Sequence, residues 1–161
     1  MMTISSGSMS DNNPTREAVT CAIRHIGTGI YSSGKIKLYL MQRGFSEDTA
    51  VSAVSLLIDS GYIDDMRASR KVLAVRSGKK QESRQFIYQR LLEAGIDADC
   101  ADLVVDSLES DKDTCKSLYE ASFGSPADDS RDREDEYVKL ACLRGYSMET
   151  ARSAFIAYLE S

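Results

Sequence analysis

The side chains that carry most protein chemistry are sparse and scattered in this chain. There is a single histidine, His25, and the four cysteines, Cys21, Cys100, Cys115 and Cys142, include no CxxC pair. Neither tetrahedral zinc ligation nor a dithiol redox motif has a matching spacing. No Ser-His-Asp set, Walker loop or helix with paired metal ligands is present, so no enzyme, metal or cofactor is expected. His25 reads as a structural residue, and the cysteines as small buried hydrophobes in a reducing cytoplasm. What remains is electrostatics. Residues 62 to 96 carry eight basic side chains, Arg67, Arg70, Lys71, Arg76, Lys79, Lys80, Arg84 and Arg90, against four acidic ones, Asp64, Asp65, Glu82 and Glu93, a net of +4. Such a strip attracts phosphate or acidic protein surfaces. Its setting is acidic: the whole chain is at −5, and residues 97 to 136 alone are at −10.

The elements that hold this strip can be read from three copies of one local pattern. Residues 40 to 50 read LMQRGFSEDTA, residues 91 to 101 LLEAGIDADCA, and residues 141 to 151 ACLRGYSMETA. Gly44, Gly95 and Gly145 suit the left-handed position that ends a helix. An apolar residue follows each (Phe45, Ile96, Tyr146), then an N-cap for the next helix (Ser46, Asp97, Ser147), with Ala50, Ala101 and Ala151 as hydrophobic-staple partners. Acids at Asp48, Asp99 and Glu149 suit the positive end of the helix dipole. One such corner is ordinary. Its recurrence about every fifty residues indicates a tandem repeat.

With the corners as rulers, each repeat resolves into three helices. They are expected at 15–27, 33–43 and 47–59, then 64–77, 82–94 and 98–109, then 111–123, 130–144 and 148–159. The apolar spacing puts Ile36, Leu40, Ala50, Val54 and Leu57 inward in the first repeat. In the second it selects Ala68, Val72, Val75, Ile87, Leu91, Ala101, Val105 and Leu108. FGSPADDSRDRED, at 123 to 135, reads as a polar loop, and Pro14 and Pro126 both fall in loop-like stretches. Valine and isoleucine form no alternating runs, so the fold class is all-α: three tandem three-helix repeats (15–61, 62–110, 111–161) stacked into an elongated, curved array. Residues 1 to 14 read as a disordered N-terminal segment without the marks of a signal peptide. No apolar run approaches the roughly 20 residues that cross a bilayer, so a soluble, cytoplasmic protein is expected.

GYIDDMRASRKVLAVR, from Gly61 to Arg76, resembles the signature of the RecX family of RecA recombinase regulators, in which a G-[YF]-[IL]-D-D-x-R-F-A segment opens the second helical repeat. YSSGKIKLYLMQRGF upstream, and LLEAGI and LRGYS downstream, are similar to that family's flanking helix and corners. Ala68 and Ser69 stand where the family usually has Phe-Ala. The resemblance implies a non-catalytic monomer that lodges in the RecA nucleoprotein filament and modulates, most often inhibits, its ATPase, recombinase and coprotease activities. On that reading the basic strip from Arg67 to Arg90 faces RecA or single- or double-stranded DNA. Asp64 and Asp65 are better read as acids at a helix start, with Arg43, Arg144 and Tyr146 as further corner candidates. Two other readings stay open on the residues: a helical scaffold for a different protein, and a weak direct DNA binder.

Overall fold

The computed structural model describes residues 13 to 161, and the expectation for residues 1 to 12 lies outside it. Among the described residues there are nine α-helices and no strand. They are α1 (Pro14–Ile26), α2 (Ser33–Gln42), α3 (Glu47–Asp59), α4 (Asp65–Ala74), α5 (Arg84–Glu93), α6 (Ala98–Asp106), α7 (Asp111–Phe123), α8 (Glu134–Leu143) and α9 (Met148–Leu159). Two 3₁₀ turns, Gly78–Lys80 and Ser130–Arg133, precede α5 and α8. The all-α class expected from the sequence is what the chain adopts. Pro14, read as part of a loop, instead opens α1. Its missing amide falls where a helix has no use for one, and Asn13 caps the helix by accepting from the Thr15 amide. The second helix of the last third starts at Glu134 rather than 130, because the polar stretch before it winds into a 3₁₀ turn.

The chain forms two compact units, one running through Ala68 and including Ala94–Asp97, the other comprising Ser69–Glu93 and Ala98–Ser161. The core of the first is built at helical spacing: Ala18, Ala22 and Ile26 from α1, Ile36 and Leu40 from α2, and Ala50, Ala53, Val54 and Leu57 from α3. Alanines at the contacts let helix axes approach, while each fully buried leucine or isoleucine contributes about 1.5–3 kcal/mol. The core of the second unit is aromatic. Tyr119, Tyr137, Phe155 and Tyr158 are all buried, with the Tyr119 and Tyr137 rings edge to face at 5.2 Å. Their hydroxyls are satisfied inside: Tyr119 donates to the Ala151 carbonyl at 2.9 Å and Tyr158 to that of Gly124 at 2.7 Å. Val75, expected inward, is 57 % exposed, because α4 stops at Ala74. On α6 the buried pair is Ala101 and Val104, with Val105 half-buried, as is Leu108 in the turn that follows.

The three glycine corners have the expected backbone, with φ of 99° at Gly44, 86° at Gly95 and 92° at Gly145. The amide of Phe45 donates to the Leu40 carbonyl, and that of Tyr146 to Ala141, closing the helix ends. Gly61 is a further such corner, with φ 82° and the Tyr62 amide donating to Leu57. The corners differ in their surroundings. A Cβ on Gly44 would meet nothing within 4 Å, whereas on Gly95 it would stand 2.4 Å from Ser32 Oγ and 2.9 Å from the Lys35 amide nitrogen. On Gly145 it would strike the Phe86 ring at 2.5 Å and Ser83 Oγ at 2.6 Å. In the first unit the N-terminus of α2 therefore nests on the Gly95 corner. Ser32 Oγ donates to the Ala94 carbonyl at 2.7 Å, and the Gly34 amide to that of Gly95 at 2.8 Å. In the second unit the N-terminus of α5 nests on the Gly145 corner, the Ser83 amide donating to the Arg144 carbonyl at 3.0 Å.

Candidate basic interface

The two aspartates that open α4 have separate tasks, both structural. Asp64 Oδ1 accepts from the Arg67 amide at 3.1 Å, an ordinary N-cap. Asp65 reaches across the first unit: its carboxylate accepts from the Ser33 amide (2.7 Å), the Ser33 hydroxyl (2.6 Å) and the Asp97 amide (2.9 Å). An ionised oxygen strengthens each of these bonds, so Asp65 ties α2, α4 and the Gly95 corner together. Asp111 repeats part of the device in the second unit, where it accepts from the Arg84 amide at 2.9 Å.

Asp64 starts the helix and Ala68 and Ser69 turn inward, so Arg67, Arg70 and Lys71 fall on one outer face of α4, all exposed. Ala68 and Ser69, which stand where the signature has Phe-Ala, are 8 % and 2 % exposed, so both small side chains face inward. Lys79 and Lys80 are exposed on the 3₁₀ turn before α5. The Lys79 carbonyl accepts from the Arg144 guanidinium at 3.1 Å, which fixes that turn.

The other three basic residues of the strip are built into the second unit. Glu82, only 7 % exposed, lies between two of them, with Arg76 Nε 3.0 Å from Oε1 and Arg90 Nη2 3.1 Å from Oε2. Arg76, expected to be exposed, keeps only 24 % of its side chain in solvent. Its Nε lies within ion-pair distance of Glu82 but lacks hydrogen-bond alignment, so the attraction there is chiefly Coulombic. Hydrogen bonding to Glu82, then its charge, raises the Arg90 pKa. Arg84 donates from Nε to the Glu109 carbonyl at 3.2 Å and from Nη2 to that of Leu108, closing the turn after α6. The strip therefore divides into five outward cations, Arg67, Arg70, Lys71, Lys79 and Lys80, and three that hold the fold.

Tyr146, at the third corner, is buried. Its hydroxyl donates to the Glu82 carbonyl at 3.1 Å and pairs with Thr114 Oγ1 at 2.7 Å, and burial raises its pKa. Burial also pushes the Cys115 thiol up to about 11. Cys21 and Cys100 are half-buried and Cys142 is exposed, against the expectation of burial, and none of the four cysteines is in a disulfide. His25 is exposed, stacked on Tyr39 with ring centroids 3.7 Å apart. Glu82 is the residue that reading the sequence as a charge strip overlooks. An acid inside GKKQESR, between helices carrying arginines, is the signal that marks it.

No protein-family model matches the chain. A curated relative, Regulatory protein RecX of Pelodictyon phaeoclathratiforme, is 25 % identical over 150 residues, covering 91 % of each chain. Regulatory protein RecX of Pectobacterium atrosepticum is 29 % identical over 107 residues, 65 % of this chain and 64 % of its own. That of Leuconostoc citreum is 21 % identical over 139 residues, 84 % of this chain and about half (52 %) of its own. The crystal structure of RecX from Lactobacillus salivarius shares the fold, with a TM-score of 0.67 at 15 % identity over 92 % of this chain and 98 % of that one. The resemblance carried by Gly61 to Arg76 thus extends along nearly the whole chain in sequence and in fold, and the protein is RecX-like.

Proposed function

We propose that the protein is a regulator of the RecX kind, which binds the RecA nucleoprotein filament and slows its ATPase, recombinase and coprotease activities. The observation that carries this reading is the outer face of α4. Arg67, Arg70 and Lys71 lie together and exposed inside the very segment, Gly61 to Arg76, that resembles the RecX signature. Lys79 and Lys80 are equally free of ion pairs among the described residues. The role is one of binding, not of bond-making: exposed cations on a helix steer an anionic surface and hold it in a salt-sensitive way. No described helix is long and apolar enough to cross a membrane.

The three-repeat organisation belongs to the same proposal. Ser32 with Asp65 and Gly95, and Ser83 with Asp111 and Gly145, are corresponding sets, each nesting a helix N-terminus on a glycine corner. Co-sedimentation with RecA assembled on single-stranded DNA tests the binding. The parent should pellet with the filament, and Arg70→Glu with Lys71→Glu should weaken the association by at least about tenfold. A parent that stays in the supernatant at low salt refutes the reading.

A further inference from the structure

A cleft of the first unit is lined by residues that precede the basic segment in the chain. It is open, with a volume of about 640 Å³, and lies between α1 and α2. On α1, Arg16 and Arg24 are about two helical turns apart, with His25 next to Arg24, and Tyr39 of α2 is one turn before Arg43, which caps the end of that helix. Against these three guanidinium groups the lining holds one carboxylate, Glu17. None of the three arginines has an ion pair among the described residues. Arg43 lies over the Tyr39 ring at 5.8 Å, and the His25 ring stacks on the same tyrosine at 3.7 Å and 10°. The aromatic wall therefore sits beside one cation, and two more line the same cleft.

Three cations gathered around a single carboxylate repel one another, and an anion entering the cleft relieves that repulsion. A guanidinium fork matches two oxygens of a phosphate, so arginine rather than lysine in all three places favours a tetrahedral oxyanion. We propose that the cleft between α1 and α2 is a phosphate-binding site, with Arg16, Arg24 and Arg43 as its charge partners and the His25–Tyr39 stack as its wall. A nucleic-acid backbone and a free oligophosphate present the same chemistry to these groups. This proposal does not rest on RecA binding, because its ligands are tested without RecA.

The sole histidine lies in the cleft, so the Hε1 proton of His25 gives a single imidazole resonance that reports directly from the site. The full chain is titrated with inorganic pyrophosphate and, separately, with oligothymidylate, at constant ionic strength and with chloride as the control. The expected result is a saturable shift of the His25 line with at least one phosphate ligand, none with chloride, and binding about tenfold weaker in Arg24→Gln and in Arg43→Gln. Both positions are exposed, so these variants should keep the parent melting temperature. Arg24→Lys, which keeps the charge but loses the fork, should fall between. Saturation at lower phosphate concentration by oligothymidylate identifies the nucleic-acid backbone as the source, and the reverse order identifies free oligophosphate. A His25 line that neither ligand moves, or that moves equally in the Arg24→Gln, Arg43→Gln double variant, overturns the proposal.

Discussion

Gly44→Ala and Gly95→Ala make the same chemical change at the same backbone conformation, yet they should differ severalfold in cost. Both glycines have positive φ, 99° and 86°, so an alanine at either pays about 1 kcal/mol for the left-handed conformation. At Gly44 the cost ends there, since the new methyl meets nothing within 4 Å. At Gly95 the methyl would stand 2.4 Å from Ser32 Oγ and 2.9 Å from the Lys35 backbone nitrogen. Turning the Ser32 side chain away removes both the cap it provides to Lys35 and its bond to the Ala94 carbonyl, about 1 kcal/mol each. Relieving the contact with the Lys35 nitrogen also moves the backbone and strains the 2.8 Å bond from the Gly34 amide to the Gly95 carbonyl, up to about 1 kcal/mol more. The expected losses are therefore about 1 kcal/mol for Gly44→Ala and about 3–4 kcal/mol for Gly95→Ala. Urea unfolding followed by far-ultraviolet circular dichroism resolves such a gap as a shift in midpoint at unchanged slope. Equal losses for the two variants would refute the nesting of α2 on the Gly95 corner as a source of stability.

Three further outcomes follow from the same geometry. Glu82→Ala should cost about 2 kcal/mol in urea unfolding, since it strands Arg76 and Arg90, both partly open to water; a loss under about 0.5 kcal/mol would contradict this. Tyr146→Phe should cost about 1–2 kcal/mol, because Thr114 and the Glu82 carbonyl each lose a buried partner, and a neutral outcome would show that water replaces the hydroxyl. Stability should also decline in alkali. The folded state keeps the Cys115 proton up to about pH 11, and burial likewise raises Tyr119 and Tyr146, whereas the unfolded chain releases these protons from about pH 9 to 10 upward. The unfolded state then binds fewer protons, so this stability is complete below about pH 9 and is lost as pH rises through about 11. A melting temperature that stays flat from pH 8 to 11 would contradict it.

What the sequence disclosed and what it hid separate by range. The corners were legible because a helix stop and start is encoded within a few residues: Gly44, Gly95 and Gly145 take positive φ, and Ser46 and Ser147 cap the next helices. The direction of Ile36, Leu40, Ala50 and Leu57 into the core was legible from spacing alone. The clamp of Asp65 on Ser33 and Asp97 was not, because acids at a helix start are favourable without any partner. Nor could charge counting divide the basic strip, since Arg76 and Arg90 leave it only where Glu82 is buried between them, and Arg84 only where α6 ends. The cleft of the first unit was hidden by sequence distance, since Arg16, Arg24 and Arg43 gather only when α1 and α2 lie side by side.

The central claim, that the outer face of α4 joins the protein to RecA, is tested most directly by the single-stranded-DNA-dependent ATPase of RecA. The measurement compares the parent with the Arg67→Glu, Arg70→Glu, Lys71→Glu variant across a salt series. These three side chains are exposed and Arg76 is left in place, so the variant should melt with the parent. The parent should slow hydrolysis, and less so as salt rises, while the variant should need at least about tenfold more protein for the same effect. A parent with no effect on hydrolysis, or a variant that inhibits as well as the parent at low salt, would contradict the claim.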